Sequence, residues 1–214
     1  MLPGFDPDLI RALSIAGTFV FGLTGGIVGV RKRLDLFGVV VLAVAVGMAG
    51  GIVRDVLIGR PPETFRDWRY LAAAGAAGVV ALLAPRALQR LQRSLDVVDA
   101  AGLALFSVAG ASTALAFDVP PAQAALLGAV TGIGGGILRD ILVNEIPEVL
   151  RGGLYALPAL LGAAVVVVAS EAGSQSAIFP VLGMLACFGV RLVAIRHDIN
   201  LPQVSAVRAA PPDE

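Results

Sequence analysis

Charge, cysteine, histidine and aromatic side chains are all scarce in this 214-residue chain, and each scarcity removes a class of function. Charged residues make up 15% and aromatics 6%, and 16 Lys and Arg balance 16 Asp and Glu to a formal net charge of zero. With no basic stripe to neutralise phosphates, nucleic acid is not an expected partner. The single cysteine, Cys187, excludes a disulfide framework and a thiolate metal cluster, and its apolar surroundings make it a packing or lipid-facing residue. The single histidine, His197, has only the adjacent Asp198 beside it, so no metal site is expected. No Ser/His/Asp set or P-loop occurs, and the glycine-rich phrases lack a βαβ setting. No catalytic residue and no cofactor are expected, so the chain is not read as an enzyme.

What is abundant is apolar surface. Hydrophobic residues reach 57% and the mean hydropathy is +0.86, more than a water-facing shell tolerates. The chain reads as an all-α integral membrane protein with lipids as surroundings. The acidic N-terminal stretch lacks the positive flank and cleavage site of a signal peptide, so the first apolar segment is expected to be retained. The polar, Pro-rich residues 202–214 read as a disordered tail.

One phrase occurs twice: Gly50-Gly51-Ile52-Val53-Arg54-Asp55 and Gly135-Gly136-Ile137-Leu138-Arg139-Asp140. The shift that carries Gly50 to Gly135 also carries Phe21 to Phe106, Gly25 to Gly110, Gly47 to Gly132, Glu63 to Glu148 and Tyr70 to Tyr155, without a gap. Such a register argues for a duplicated structural unit. At roughly 20 apolar residues per crossing, spans are predicted over 9–30, 38–58, 69–85, 97–117, 122–143, 154–170 and 177–195. The third and sixth are short and rest partly on the repeat. The chain thus divides into a first three-helix repeat (9–85), a second (97–170) and a seventh helix (177–195). Three crossings return the chain to the opposite side, so the second repeat is inverted, an arrangement that gathers functional elements near the bilayer midplane. Arg31, Lys32, Arg33, Arg86, Arg90, Arg93, Arg151, Arg191, Arg196 and Arg208 fall on one side, against Arg11, Arg60, Arg66 and Arg69 on the other. The positive-inside rule then puts the N-terminus outside and the C-terminus in the cytoplasm.

The doubled glycines Gly50 and Gly51 and the triplet Gly134, Gly135 and Gly136 weaken their helices by about 1 kcal/mol per residue relative to alanine. Two readings are open. The backbone breaks there, and freed carbonyls form an uncharged oxygen site for a monovalent cation; or small residues at four-residue spacing serve close helix packing. Arg54 with Asp55, and Arg139 with Asp140, fall about 18 Å apart in depth at helical rise, so each set belongs to its own layer, one near each mouth. Intramembrane ionisable residues are functional candidates; the alternative is that both arginines snorkel to headgroups. Asp99 either caps its helix or concentrates cations at a mouth. Thr18, Thr24, Ser107, Ser112, Thr113 and Thr131 are candidate polar lining, although a hydroxyl can equally satisfy itself on the preceding turn.

The two Gly-Gly-x-x-Arg-Asp phrases, the segment from Leu95 to Phe106, the loop from Glu145 to Arg151 and the segment Arg191 to Arg196 resemble the prokaryotic trimeric intracellular cation (TRIC) channel family, whose repeat is also called a glycine-transporter domain. The resemblance covers about residues 8 to 202. It implies a homotrimer of seven-span subunits in the cell membrane, each with its own pore for potassium and other monovalent cations such as sodium, kinked at the glycines of helices two and five. Family members often carry Lys in span four where this chain has Gly110-Ala111-Ser112-Thr113, which puts a lysine gate there in doubt. The favoured expectation is a passive monovalent-cation channel. Alternatives are a secondary transporter of a small amino acid such as glycine, and a non-conducting scaffold.

Overall fold

The computed structural model describes residues 5–83, 92–151 and 154–200. Within them lie seven α-helices: α1 (Pro7–Arg31), α2 (Leu36–Leu57), α3 (Trp68–Leu83), α4 (Gln92–Ala116), α5 (Pro121–Leu142), α6 (Ala156–Glu171) and α7 (Ile178–Arg196). Five are long and apolar enough to cross a membrane; α3 and α6 are shorter apolar helices of about 24 Å at 1.5 Å per residue. The expected tail 202–214, the last two residues of the third expected span, and Arg86, Arg90 and Arg208 lie outside the described residues. The largest boundary difference is at α4, which begins at Gln92 rather than at the predicted 97, because its first turns are too polar for a hydropathy window yet remain helical.

Local signals set the helix ends. Asp6 caps α1 by accepting from the Asp8 amide at 2.9 Å, ahead of Pro7 in the first turn, and Asp35 caps α2 through the Gly38 amide at 2.6 Å. The connections repeat as faithfully as the helices. Arg33 and Asp118 both take positive φ, as do Gly59 and Asn144, and each pair is related by the shift that carries Gly50 to Gly135. Short 3₁₀ turns at Glu63–Phe65 and Glu148–Leu150 precede α3 and α6 at the same offset.

The two repeats are inverted. Lys32 near the end of α1 pairs with Glu145 beyond the end of α5 at 2.7 Å, while Asp99 near the start of α4 is bonded to Arg139 near the end of α5. A cavity at the opposite end is lined by the start of α1 and α3 and by the ends of α2 and α4. The architecture is therefore two oppositely directed three-helix units plus a C-terminal helix. Equivalent residues meet at its centre. The Phe21 and Phe106 rings lie 5.4 Å apart, both fully buried, with Gly17 against Phe106 and Gly102 against Phe21. Such reciprocal contacts are the mark of a two-fold relation. α7 packs on α4 and α6, both of the second repeat.

Candidate functional site

The site is built where α2 crosses α5. A Cβ on Gly50 would collide with the Thr131 carbonyl, and one on Gly135 would stand 3.0 Å from the Val46 carbonyl; Val46 and Thr131 are themselves equivalent positions of the repeat. Gly134 and Gly50 face each other across the contact, so that a Gly134 Cβ would meet Gly50 Cα at 3.2 Å. Both helices remain continuous α-helix through these glycines. The broken backbone with freed carbonyls is therefore not what the chain forms: the glycines remove side-chain bulk so that two backbones approach, and the hydrogen-bond ladder survives because nothing is inserted into it. Gly51 takes no part, its nearest would-be neighbour being 3.7 Å away, whereas Gly136 makes room for the Tyr155 hydroxyl, which a Cβ there would meet at 2.6 Å.

A charged cluster sits on either side of this crossing. In the first, Arg54 Nε and Nη2 donate to Asp55 Oδ1, each at 2.8 Å, and Asp55 Oδ2 accepts from the Glu63 amide at 2.8 Å. Arg60 pairs with Glu63 and lies 4.5 Å above the Phe117 ring. In the second, Arg139 Nε donates to Asp140 Oδ1 at 2.9 Å and Asp140 Oδ2 accepts from the Glu148 amide at 3.0 Å, the same motif at the repeat-equivalent residues. Here Arg139 Nη1 also donates to Asp99, whose Oδ2 accepts from the Tyr155 hydroxyl at 2.6 Å. Arg191 of α7 adds a donation to the Leu154 carbonyl at 3.0 Å, pairs with Glu148 and lies 4.8 Å above the Tyr155 ring. Burial pushes the Glu148 carboxyl above its ordinary range, with Arg191 opposing.

Arg54 and Arg139 are each 4% exposed and turn inward onto carboxylates, so neither snorkels. No ion pair links the two clusters among the described residues, each arginine being held by carboxylates of its own layer. Asp99 is 1% exposed and lies about two turns inside α4; it caps nothing and faces no open mouth, because Arg139 and Tyr155 consume its oxygens. Thr18, Thr24, Ser107, Thr113 and Thr131 donate to carbonyls three or four residues back in their own helices. Ser112 Oγ has no partner among the described residues, and Thr113 lines the cavity beside Arg54. No cluster suited to a metal ion occurs among the described residues. Sequence reasoning passed over Ser14, Arg60, Tyr70, Tyr155 and Arg191 as site residues. The repeat itself was the usable signal, since Tyr70 and Tyr155 occur in both copies beside the doubled motif.

A protein-family model described as a glycine transporter matches the chain twice, at residues 11–86 and 96–171. The chain belongs to this family, which is the TRIC family. The two matches are displaced by the same shift that carries Gly50 to Gly135. The chain is 45% identical over 205 residues to the UPF0126 membrane protein SCO4104 of Streptomyces coelicolor, covering 95% of this chain and 94% of that one. It is 35% identical over 199 residues to the UPF0126 inner membrane protein YadS of Escherichia coli K12, covering 91% and 95%. Its structure is similar to that of the TRIC trimeric intracellular cation channel orthologue from Rhodobacter sphaeroides, with a TM-score of 0.85, 34% identity, and coverage of 89% of this chain and 99% of that one. In this family setting the chain is a multi-pass membrane protein, and the paired clusters are the buried polar heart of its two repeats.

Proposed function

We propose that the protein is a passive channel for monovalent cations, potassium above all and sodium with it, working as a homotrimer with one pore in each subunit. The observation that carries this reading is the structural likeness to the Rhodobacter cation channel across 99% of that chain. The geometry supports it. The α2–α5 crossing is made by Gly50, Gly134, Gly135, Val46, Thr131, Phe21 and Phe106, none of which titrates, so no carboxylate stands there to couple a proton or ion to a solute. Opening the path is a flexing of α2 and α5 at Gly50, Gly51 and Gly134 to Gly136, through which both helices run unbroken in this structure. The paired clusters of Arg54 with Asp55, and of Arg139 with Asp140 and Asp99, flank the two ends of the path, and Thr113 stands where a lysine would obstruct it. The subunit sits in the bacterial inner membrane with its N-terminus outside and C-terminus in the cytoplasm, in line with YadS, described as an inner membrane protein, and with the arginine distribution.

A second reading, a secondary transporter of glycine, is favoured by the description of the matching family and by inverted repeats, which transporters share. Protein reconstituted in liposomes separates the two. Potassium flux that follows voltage and saturates weakly supports the channel; ion-driven accumulation of labelled glycine against its gradient overturns it.

A further inference from the structure

The two buried clusters differ at one position of the repeat. Asp99 of the second cluster corresponds to Ser14 of the first under the shift that carries Gly50 to Gly135. In the second cluster that aspartate takes the Arg139 Nη1 donor and the Tyr155 hydroxyl. In the first, the equivalent Arg54 Nη1 is buried and finds no hydrogen-bond partner among the described residues, although the rest of its guanidinium is bound to Asp55 as Arg139 is to Asp140. Tyr70 occupies the position of Tyr155 and lines the same cavity as Ser14.

Where the second repeat places a carboxylate, the first has open space. A cavity of about 260 Å³ is lined by Ser14, Arg54 and Tyr70, with Arg11, Arg60 and Thr113 around them. It opens past Pro7 and Arg11, both solvent-accessible at the start of α1. Its lining holds three arginines and a single carboxylate, Glu63, which is already paired with Arg60. A guanidinium N–H held in such a place demands an acceptor, and a charged acceptor gives the stronger bond.

We propose that this cavity binds a small free carboxylate, which stands where the second repeat carries its own Asp99 side chain. One carboxylate oxygen accepts from Arg54 Nη1 and the other from the Tyr70 hydroxyl, as the two oxygens of Asp99 do from Arg139 and Tyr155. The bound anion gives this cluster three negative groups against Arg54 and Arg60, which is the balance of Asp99, Asp140 and Glu148 against Arg139 and Arg191 in the other. The assignment rests on internal symmetry and on an orphaned donor, and does not depend on conduction.

Thermal unfolding of the purified full chain in detergent tests it, with potassium acetate titrated against potassium chloride at equal potassium in a carboxylate-free buffer. Acetate is expected to raise Tm with a saturable dose dependence, and chloride to raise it less. Ser14→Asp supplies the missing side chain and is expected to raise Tm without acetate and to abolish the acetate response. Ser14→Asn fills the space without the charge and is expected to abolish the response without the gain. Arg11→Gln, at the mouth, is expected to keep the fold and shift the acetate midpoint to higher concentration. An unresponsive wild type, a response undiminished in Ser14→Asn, or chloride as effective as acetate overturns the proposal, and each is readable even if Ser14→Asp fails to fold.

Discussion

Gly50 and Gly51 are neighbours in the chain and opposites in environment. A methyl on Gly50 would run into the Thr131 carbonyl, a backbone group that cannot swing away, whereas one on Gly51 meets nothing closer than 3.7 Å. Gly50→Ala is therefore expected to force α2 and α5 apart and lower stability by about 1–3 kcal/mol. Gly51→Ala should be neutral or stabilise by up to about 1 kcal/mol through helix propensity. Thermal unfolding of the two variants in detergent checks the contrast, and equal effects would contradict the crossing geometry. Asp99 presents the complementary case of a residue whose partners come from afar. Asp99→Asn removes one of the two carboxylates bound to Arg139 and weakens that buried hydrogen bond while Asp140 remains as the counter-charge, which should cost about 1–3 kcal/mol. The double variant Asp99→Asn with Arg139→Gln should lose less than the sum of the two single losses, and simple additivity in a double-mutant cycle would argue against the pairing.

At the scale of elements, the link after α1 and the link after α5 are tied by Lys32 and Glu145 at 2.7 Å. The hydrogen bond from Lys32 holds the Glu145 carboxyl below its ordinary value of 4.5. A depressed carboxylate contributes stability that is fully present above the unfolded value and is lost as pH falls through the folded one. The Tm difference between wild type and Glu145→Gln should thus be constant near neutral pH and close as the pH drops below about 4.5. Both side chains are well exposed, so the contribution is expected to stay within about 0.5 kcal/mol and to shrink with salt. A gap that widens in acid would mean the tie is not electrostatic. The elements themselves were legible along the chain because apolar length and repeat register are local properties. α4 was the exception, since Gln92, Arg93, Ser94 and Asp96 lower the hydropathy ahead of the buried stretch that begins at Asp99, although the helix already includes them.

For the whole molecule, inversion and orientation are the quantities at stake. Cys187 is buried, so the wild-type chain is a quiet background for thiol labelling. Phe65, beyond the end of α2, and Ile146, beyond the end of α5, are both exposed and belong to the opposite ends. Under the proposed orientation, Phe65→Cys should react with a membrane-impermeant maleimide applied to intact cells, and Ile146→Cys only after permeabilisation. The reverse pattern would overturn the orientation while leaving the inversion intact. The proposed homotrimer is checked by light scattering of the detergent-solubilised protein, where a protein mass three times that of one chain is expected.

Read along the chain, the residues determined the membrane setting, the seven apolar segments, the internal repeat and, through its odd number of crossings, the inversion. All of these follow from hydropathy, spacing and counting, which need no knowledge of how helices are rotated about their axes. The separation of Arg54 and Arg139 into two layers followed in the same way from helical rise. Only the tertiary structure decided what the glycines and carboxylates do there. Whether Gly50 is a break or a contact depends on the backbone at Thr131, in the other repeat, and whether Asp99 is a cap or a counter-ion depends on the faces that α4, α5 and α6 turn toward one another. Those rotations are set by close packing among residues distant in sequence, so the space beside Ser14 and Arg54 becomes visible only once the two repeats are folded against each other.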